Sequence, residues 1–169
     1  MTTAAIISRM PFKPDVTVAA ICEQQGRFLT VEERIAGRLV FNQPAGHVED
    51  GETLVQAVAR EAREETAWCF EPQHLLGIYL WRNPATGRST LRFAFIGAVR
   101  DHDPQQPLDR GILRTHWLSR AELAAREPRL RSPLVLRCID DYLAGRRVPL
   151  DTVAYLDLHT ASHMQAVSV

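Results

Sequence analysis

The sequence predicts an α+β domain, a mixed and mostly antiparallel sheet with helices packed on its faces. Three observations lead there. Short β-rich runs divided by glycine- or proline-bearing turns occupy most of the chain up to Leu118. One internal stretch, beginning at Thr53, changes to a helical period. Two further helical stretches open on serines near the C-terminal end, so helices and strands are not in strict alternation and an all-parallel sheet is excluded.

Asp15 to Cys22 and Arg27 to Val31 are rich in β-branched and apolar residues, and Glu23-Gln24-Gln25-Gly26 lies between them. That pattern predicts a β-hairpin. Glu32 to Arg38 reads as a charged loop and Leu39 to Phe41 as a short strand. Asn42-Gln43-Pro44-Ala45-Gly46 then breaks regular structure, because Pro44 lacks an N–H and Gly46 has no Cβ. Thr53 with Gln56 forms a capping-box pair, and Leu54, Val58 and Ala62 recur at helical spacing, giving a helix to about Ala67 that Pro72 keeps from extending. Leu75 to Trp81 and Thr90 to Val99 form a second hairpin around Asn83-Pro84-Ala85-Thr86-Gly87. Thr115 to Leu118 is a short strand, Ser119 caps a helix through Arg126, and Ser132-Pro133 opens another to about Ala144. The stretch after Arg146 has no strong period and predicts no element.

At 169 residues, 46% hydrophobic and 24% charged, the chain suits one domain with its own core. Residues 10–150 form that domain, between a short extension (1–9) and a tail (151–169). Twenty basic and twenty acidic residues cancel, so no overall field draws in a nucleic-acid polymer. The three cysteines are scattered without metal-ligand spacing, which excludes CxxC zinc sites and suits reduced thiols. Residues 1–10 lack the basic and long apolar regions of a signal peptide, and no run is long enough to cross a bilayer. A cytoplasmic protein acting on a small anionic partner is the expectation.

On a helical wheel, Leu54, Val58 and Ala62 define the buried stripe of the Thr53–Ala67 helix, and Glu61, Glu64 and Glu65 crowd one side of it. Like charges at this spacing destabilise a bare helix by a few tenths of a kcal/mol per pair. A cation should therefore compensate them. Arg60, four residues before Glu64, supplies one; a divalent ion is the other, and a hard oxygen set without Cys or His suits Mg²⁺, with Mn²⁺ as substitute. A solvated charged face is the ordinary reading of such a run taken alone. The neighbourhood decides otherwise. Gly46, Glu52, Arg60, Glu61, Glu64 and Glu65 match G-x5-E-x7-R-E-U-x-E-E-x-G-U at every polar offset, and the chain thereby resembles the Nudix family. It departs at two places: Ala62 is a small residue for the bulky U, and Ala67 replaces the last glycine. Alanine resists a left-handed turn, so the helix is expected to end with altered geometry.

The resemblance implies the Nudix fold and a Mg²⁺-dependent hydrolase of phosphoanhydride bonds. It implies that Glu61, Glu64 and Glu65, helped by the Gly46 carbonyl, ligate the metal while Arg60 and Glu52 brace them. Segments outside the box (Phe12 to Ala19, Asn42 to His47, Leu91-Arg92-Phe93, Leu130 to Val135) resemble a phosphatase subgroup acting on nucleoside tri- and diphosphates and on hydroxymethylpyrimidine pyrophosphate, with release of orthophosphate. Glu64 is the candidate general base, with Glu49 as the alternative. Trp81 is a candidate for stacking on the substrate, as are Tyr79 and Phe41, although strand aromatics usually belong to cores. Arg34, Arg38 and Arg92 are candidates for its phosphates. His47 follows the Pro-Ala-Gly turn, where contact with the site and a local hydrogen-bonding role are equal alternatives, and His116 reads as structural. A nucleotide-sensing domain of the same fold, without turnover, is the competing function; the full set of carboxylates argues against it.

Overall fold

The computed structural model describes residues 12–156, so the expected extension (1–9) and residues 157–169 of the tail lie outside it. Among the described residues there are nine strands, β1 (Asp15–Ile21), β2 (Glu23–Gln24), β3 (Arg27–Ile35), β4 (Arg38–Asn42), β5 (Ala45–His47), β6 (Cys69–Arg82), β7 (Ser89–Arg100), β8 (Ile112–Ser119) and β9 (Val148–Pro149), and three α-helices, α1 (Leu54–Thr66), α2 (Arg120–Ala124) and α3 (Leu134–Leu143). No helix among them is long and apolar enough to cross a membrane.

Two sheets result. One runs β5-β1-β7-β6-β9. Its β1–β7 pairing is parallel and the others antiparallel, as a mixed, mostly antiparallel sheet requires. In the other sheet β3 is central: β8 lies along one edge, β2 and β4 along the opposite one.

The expected hairpin between the first two strands does not form. β1 is buried on both faces: Val18, Ala20 and Cys22 turn to the core beneath α1, and Ala19 and Ile21 to the core beneath α3. A strand apolar on both sides is most stable inside a covered sheet. Accordingly β1 sits between β5 and β7, and the chain crosses into the second sheet at Cys22, leaving only β2 to fold back on β3. The expected charged loop is also corrected. β3 continues to Ile35, because Glu32 finds His116 Nε2 at 3.2 Å and Arg129 Nη2 at 2.9 Å. The turn is just Ala36-Gly37, both at positive φ (48° and 80°), as a two-residue hairpin joining twisted strands demands.

β6 and β7 overrun their expected limits. Pro72 is accommodated because the register shifts between Pro72 and His74, a bulge at the one residue that cannot donate. After Arg146, where no element is expected, β9 pairs with β6, and Leu150 and Val153 pack against the α1-side core. Asn42 to Gly46 is likewise not irregular throughout: β5 lies antiparallel to β1 with Gly46 opposite Val18, which brings Gly46 under α1.

Candidate active site

α1 presents the acidic side chains, and its ends are fixed locally. Thr53 Oγ1 accepts from Gln56 N (3.1 Å) while Gln56 Oε1 accepts from Thr53 N (2.8 Å), the expected capping box. Ala57, Val58 and Ala62 bury against Val18, Ala20, Leu75 and Phe95. The helix is thus held on the sheet by small residues that let it approach closely, which turns Glu61 and Glu65 towards β5. At Gly46 any Cβ would overlap the Glu61 carboxylate. Glycine is required here for close approach, since its φ is not in the left-handed region. One position along, Ala45 N donates to Glu65 Oε2 at 2.8 Å.

Arg60 organises the remainder. It grips Glu52 with both Nε (3.0 Å, Oε2) and Nη2 (2.7 Å, Oε1), reaches Glu61 (2.9 Å) and Glu64 (3.1 Å) through Nη1, and donates from Nη2 to the His47 carbonyl (2.9 Å). Glu52 Oε1 also accepts from Glu49 N at 2.7 Å. The Arg60 hydrogen bonds hold the Glu52 carboxyl below its ordinary value. Glu65 is in the opposite situation. Burial pushes its carboxyl up to about 8; the Ala45 N–H opposes this, and the Glu61, Glu33 and Asp109 carboxylates add to it. Glu61 is also raised by burial, with Arg60 counteracting.

A hard cation fits this donor set. Glu61 lies against Gly46, Glu65 against Ala45 N and Glu64 against Arg60 on one side of α1; Arg60 neutralises only part of the charge, and Glu65 has no cationic side chain bonded to it. Among the described residues no three acidic, thiol or imidazole side chains stand close enough together to hold a metal ion as they are placed. Glu61 and Glu64 both point an oxygen at Arg60 Nη1 instead, so a metal would take over acceptor oxygens that the arginine now holds.

Beyond β5 lies a cavity of about 360 Å³, bordered by Ala45, Gly46 and His47 on one side and by Arg92, Arg131 and Trp81 on others. A second, of about 540 Å³, shares Trp81 and Arg131 with it and extends past Arg38. Of the stacking and phosphate candidates, Trp81 therefore borders both cavities, Arg38 the second and Arg92 the first, whereas Arg34 borders neither. Tyr79 and Phe41 belong to the core; the Tyr79 hydroxyl donates to Asp141 at 2.9 Å, and Arg129 lies over the Phe41 ring. His116 pairs with Glu32.

Comparison with known proteins agrees with this geometry. The family model described as the NUDIX domain matches residues 11–137. The chain belongs to the Nudix family. Phosphatase NudJ of Escherichia coli strain K12 is 44% identical over 142 residues, spanning 84% of this chain and 92% of that relative. A solved NUDIX hydrolase of Nitrosomonas europaea is 48% identical and superposes with a TM-score of 0.84 over 86% of this chain and 99% of its own. A MutT protein of Methanosarcina mazei, 22% identical, shares the fold with a TM-score of 0.64, covering 82% of this chain and 100% of its own.

The Nudix box residues Gly46, Glu52, Arg60, Glu61 and Glu64 are thus joined by one contact network, and Glu65 reaches it through Ala45. The departure at Ala67 does not alter the helix end. Ala67 takes up the left-handed conformation itself (φ 60°, ψ 13°) and its N–H donates to the Arg63 carbonyl, contrary to the altered geometry expected of alanine. The 101–111 loop supports that end: Asp103 N donates to Ala67 O, Gln106 Nε2 to Arg63 O and Asp109 N to Glu64 O. Four carbonyls at a helix C-terminus lack intrahelical partners, and this loop supplies donors for some of them. It also brings the Asp109 carboxylate close enough to raise both Glu61 and Glu65. Sequence reading misses Asp109, which lies in a polar loop with no offset relating it to the box.

Proposed function

We propose that this Nudix hydrolase removes orthophosphate from nucleoside tri- and diphosphates, one phosphate at a time, with Mg²⁺ or Mn²⁺ as cofactor. Glu61, Glu64, Glu65 and the Gly46 carbonyl would hold the metal, which when bound would polarise the phosphoanhydride and lower the pKa of water. Glu64, the most exposed of the three at 46%, is the group placed to take the proton of that water. Arg60 and Glu52 fix the carboxylates before substrate arrives, so little reorganisation is left for the reaction itself. Trp81 supports the substrate where the two cavities meet, and Arg38, which borders the second of them, meets its phosphates; Arg34, which borders neither cavity, is left out of the site.

The observation that carries this reading is the packing of Glu61 on Gly46 and of Glu65 on Ala45 N, beside a cavity with cationic side chains. Similarity to a protein named as a phosphatase favours release of orthophosphate, and the subgroup resemblance of the segments outside the box adds hydroxymethylpyrimidine pyrophosphate as a second substrate. The test is a panel of nucleoside triphosphates, diphosphates, dinucleotide polyphosphates and the pyrimidine pyrophosphate, assayed with Mg²⁺, measuring orthophosphate and pyrophosphate separately. A triphosphate should pass through the diphosphate to the monophosphate, and dinucleotides should be poor substrates. Pyrophosphate from the first turnover would exclude the stepwise reading, and no turnover on any of them would favour a sensing domain.

A further inference from the structure

Four arginines border the two cavities beside β5, and they are not equally able to meet a ligand. Arg92 is 6% exposed and its Nε and Nη1 are buried, so it builds the wall of the first cavity. Arg88 is engaged by both oxygens of Asp15, at 2.8 and 3.2 Å. Arg38 borders the second cavity only. Arg131 borders both. Of the residues common to the two cavities, Trp81, Asn83, Arg131 and Ser132, it is the only charged one.

The side chain of Arg131 is 46% exposed, and its ion pair, Nε to Glu33 Oε1, spans 3.7 Å, beyond hydrogen-bond reach. That oxygen of Glu33 is buried, so the arginine would have to fold inward and give up water to bond it. An exposed arginine with a loose partner is ordinarily just solvated, and such a pair contributes little. The backbone sets this one apart. Arg131 N donates to the Phe41 carbonyl at 2.9 Å, Leu130 bridges to Phe41 and packs on the core beneath α3, and α3 itself begins at Leu134. A guanidinium without a hydrogen-bonded acceptor is thereby presented from a fixed wall, where the two cavities meet beside Trp81. Its planar set of donors matches the oxygens of a phosphate.

Position says which phosphate. The reacting end of the substrate belongs at the α1 carboxylates, and Gly46, packed on Glu61, borders the first cavity. The ring belongs at Trp81, at the junction that Arg131 shares. We propose that Arg131 binds the phosphate joined to the nucleoside, the one retained through every round of orthophosphate release, so that tri-, di- and monophosphates all share this contact. The proposal rests on the nucleotide reading above, and its main test needs neither metal nor turnover. AMP and adenosine are titrated calorimetrically into the full chain in EDTA. They differ by the retained phosphate alone.

AMP should bind the parent protein about 10-fold tighter than adenosine, as a charge-assisted contact to phosphate implies. Arg131→Met should bring the two to within about 2-fold of each other while leaving adenosine where it was. Arg131→Gln, which keeps a polar end without the charge, should do the same and carries the test should the methionine variant fail to fold. With ADP and Mg²⁺, either variant should raise KM about 10-fold and change kcat by less than about 3-fold, the signature of binding shared by ground and transition states. AMP binding the parent no tighter than adenosine overturns the proposal. So does an AMP preference that survives both substitutions, or a parallel loss of AMP and adenosine, which would assign Arg131 to the ring or the wall. A fall in kcat at unchanged KM overturns it too, by placing the arginine on the transferred phosphate. A protein that releases no phosphate yet holds AMP through Arg131 loses the hydrolase reading alone; an active hydrolase whose AMP binding ignores Arg131 loses only this contact.

Discussion

Two arginines lie on either side of the short strand Ala45–His47, and they live under opposite conditions. Arg60, with 24% of its side chain exposed, makes five hydrogen bonds, to Glu52, Glu61, Glu64 and the His47 carbonyl. Arg92, 6% exposed, has two buried nitrogens with no partner at all. Water could have compensated a missing bond at Arg60 more readily than at Arg92, yet it is the more accessible group that is saturated. The difference separates a network that settles its own charges from a buried position that does not. Around Arg60 the chain has settled its own charges and so holds the carboxylates in place without help. Around Arg92 it leaves buried donors and acceptors unpaired.

The hardest test of that division is on the Arg60 side. Glu64→Gln should lower kcat by about 100-fold or more in a Mg²⁺ phosphate-release assay, the usual loss when a positioned base or charge-stabilising group is removed. Its melting temperature should hardly move, because Glu64 is nearly half exposed and its pair with Arg60 is one of several. A variant that keeps most of its turnover would remove Glu64 from the reaction and weaken the contrast. Next, Gly46→Ala forces a methyl onto the Glu61 carboxylate. Overpacking of this kind costs about 1–3 kcal/mol, and here turnover should fall along with the melting temperature. An unperturbed, active Gly46→Ala would mean that β5 and α1 are not held as closely as the saturated network requires.

A smaller effect comes from pH. Arg60 depresses the Glu52 carboxyl in the folded state, so between that value and the unfolded one (about 4.5) the unfolded chain binds the extra proton and stability rises with pH. The contribution is complete above about pH 4.5 and is lost as pH falls through the depressed value. Thermal melts from pH 6 downwards should therefore show a steeper acid loss in the parent than in Glu52→Gln; parallel curves would show that the bidentate pair contributes no folding energy. The smallest effect is expected at Ala67. Glycine would relieve the left-handed backbone by about 1–2 kcal/mol but would remove a methyl that is only 2% exposed, a loss of about 0.8 kcal/mol. Ala67→Gly should raise stability by no more than about 1 kcal/mol in denaturant unfolding, and a decrease would show that the buried methyl outweighs the relieved backbone.

What the sequence determined by itself is whatever depends on neighbours within a helical turn or a fixed offset. The capping box at Thr53, the apolar stripe of α1, the grouping of Glu61, Glu64 and Glu65 and the pairing of Arg60 with Glu64 are all local, and all are found where the spacing puts them. Ser119 caps α2 for the same reason. Tertiary structure decided the rest, because strand partners are chosen by burial far along the chain. The run from Asp15 to Cys22 looks like half of a hairpin until both its faces are covered, and then β7, more than seventy residues on, is its partner. Arg92 shows the same limit at one residue. The sequence makes Arg92 a candidate for phosphates without saying whether it meets water; only the layer packed on that face, with α3 and the second sheet above it, makes the guanidinium a buried one. Asp109 reaches the carboxylates only because its loop satisfies the end of α1. A pattern of types along the chain fixes which side chains share a face, but whether that face meets water or another layer is set by the partner it finds in space.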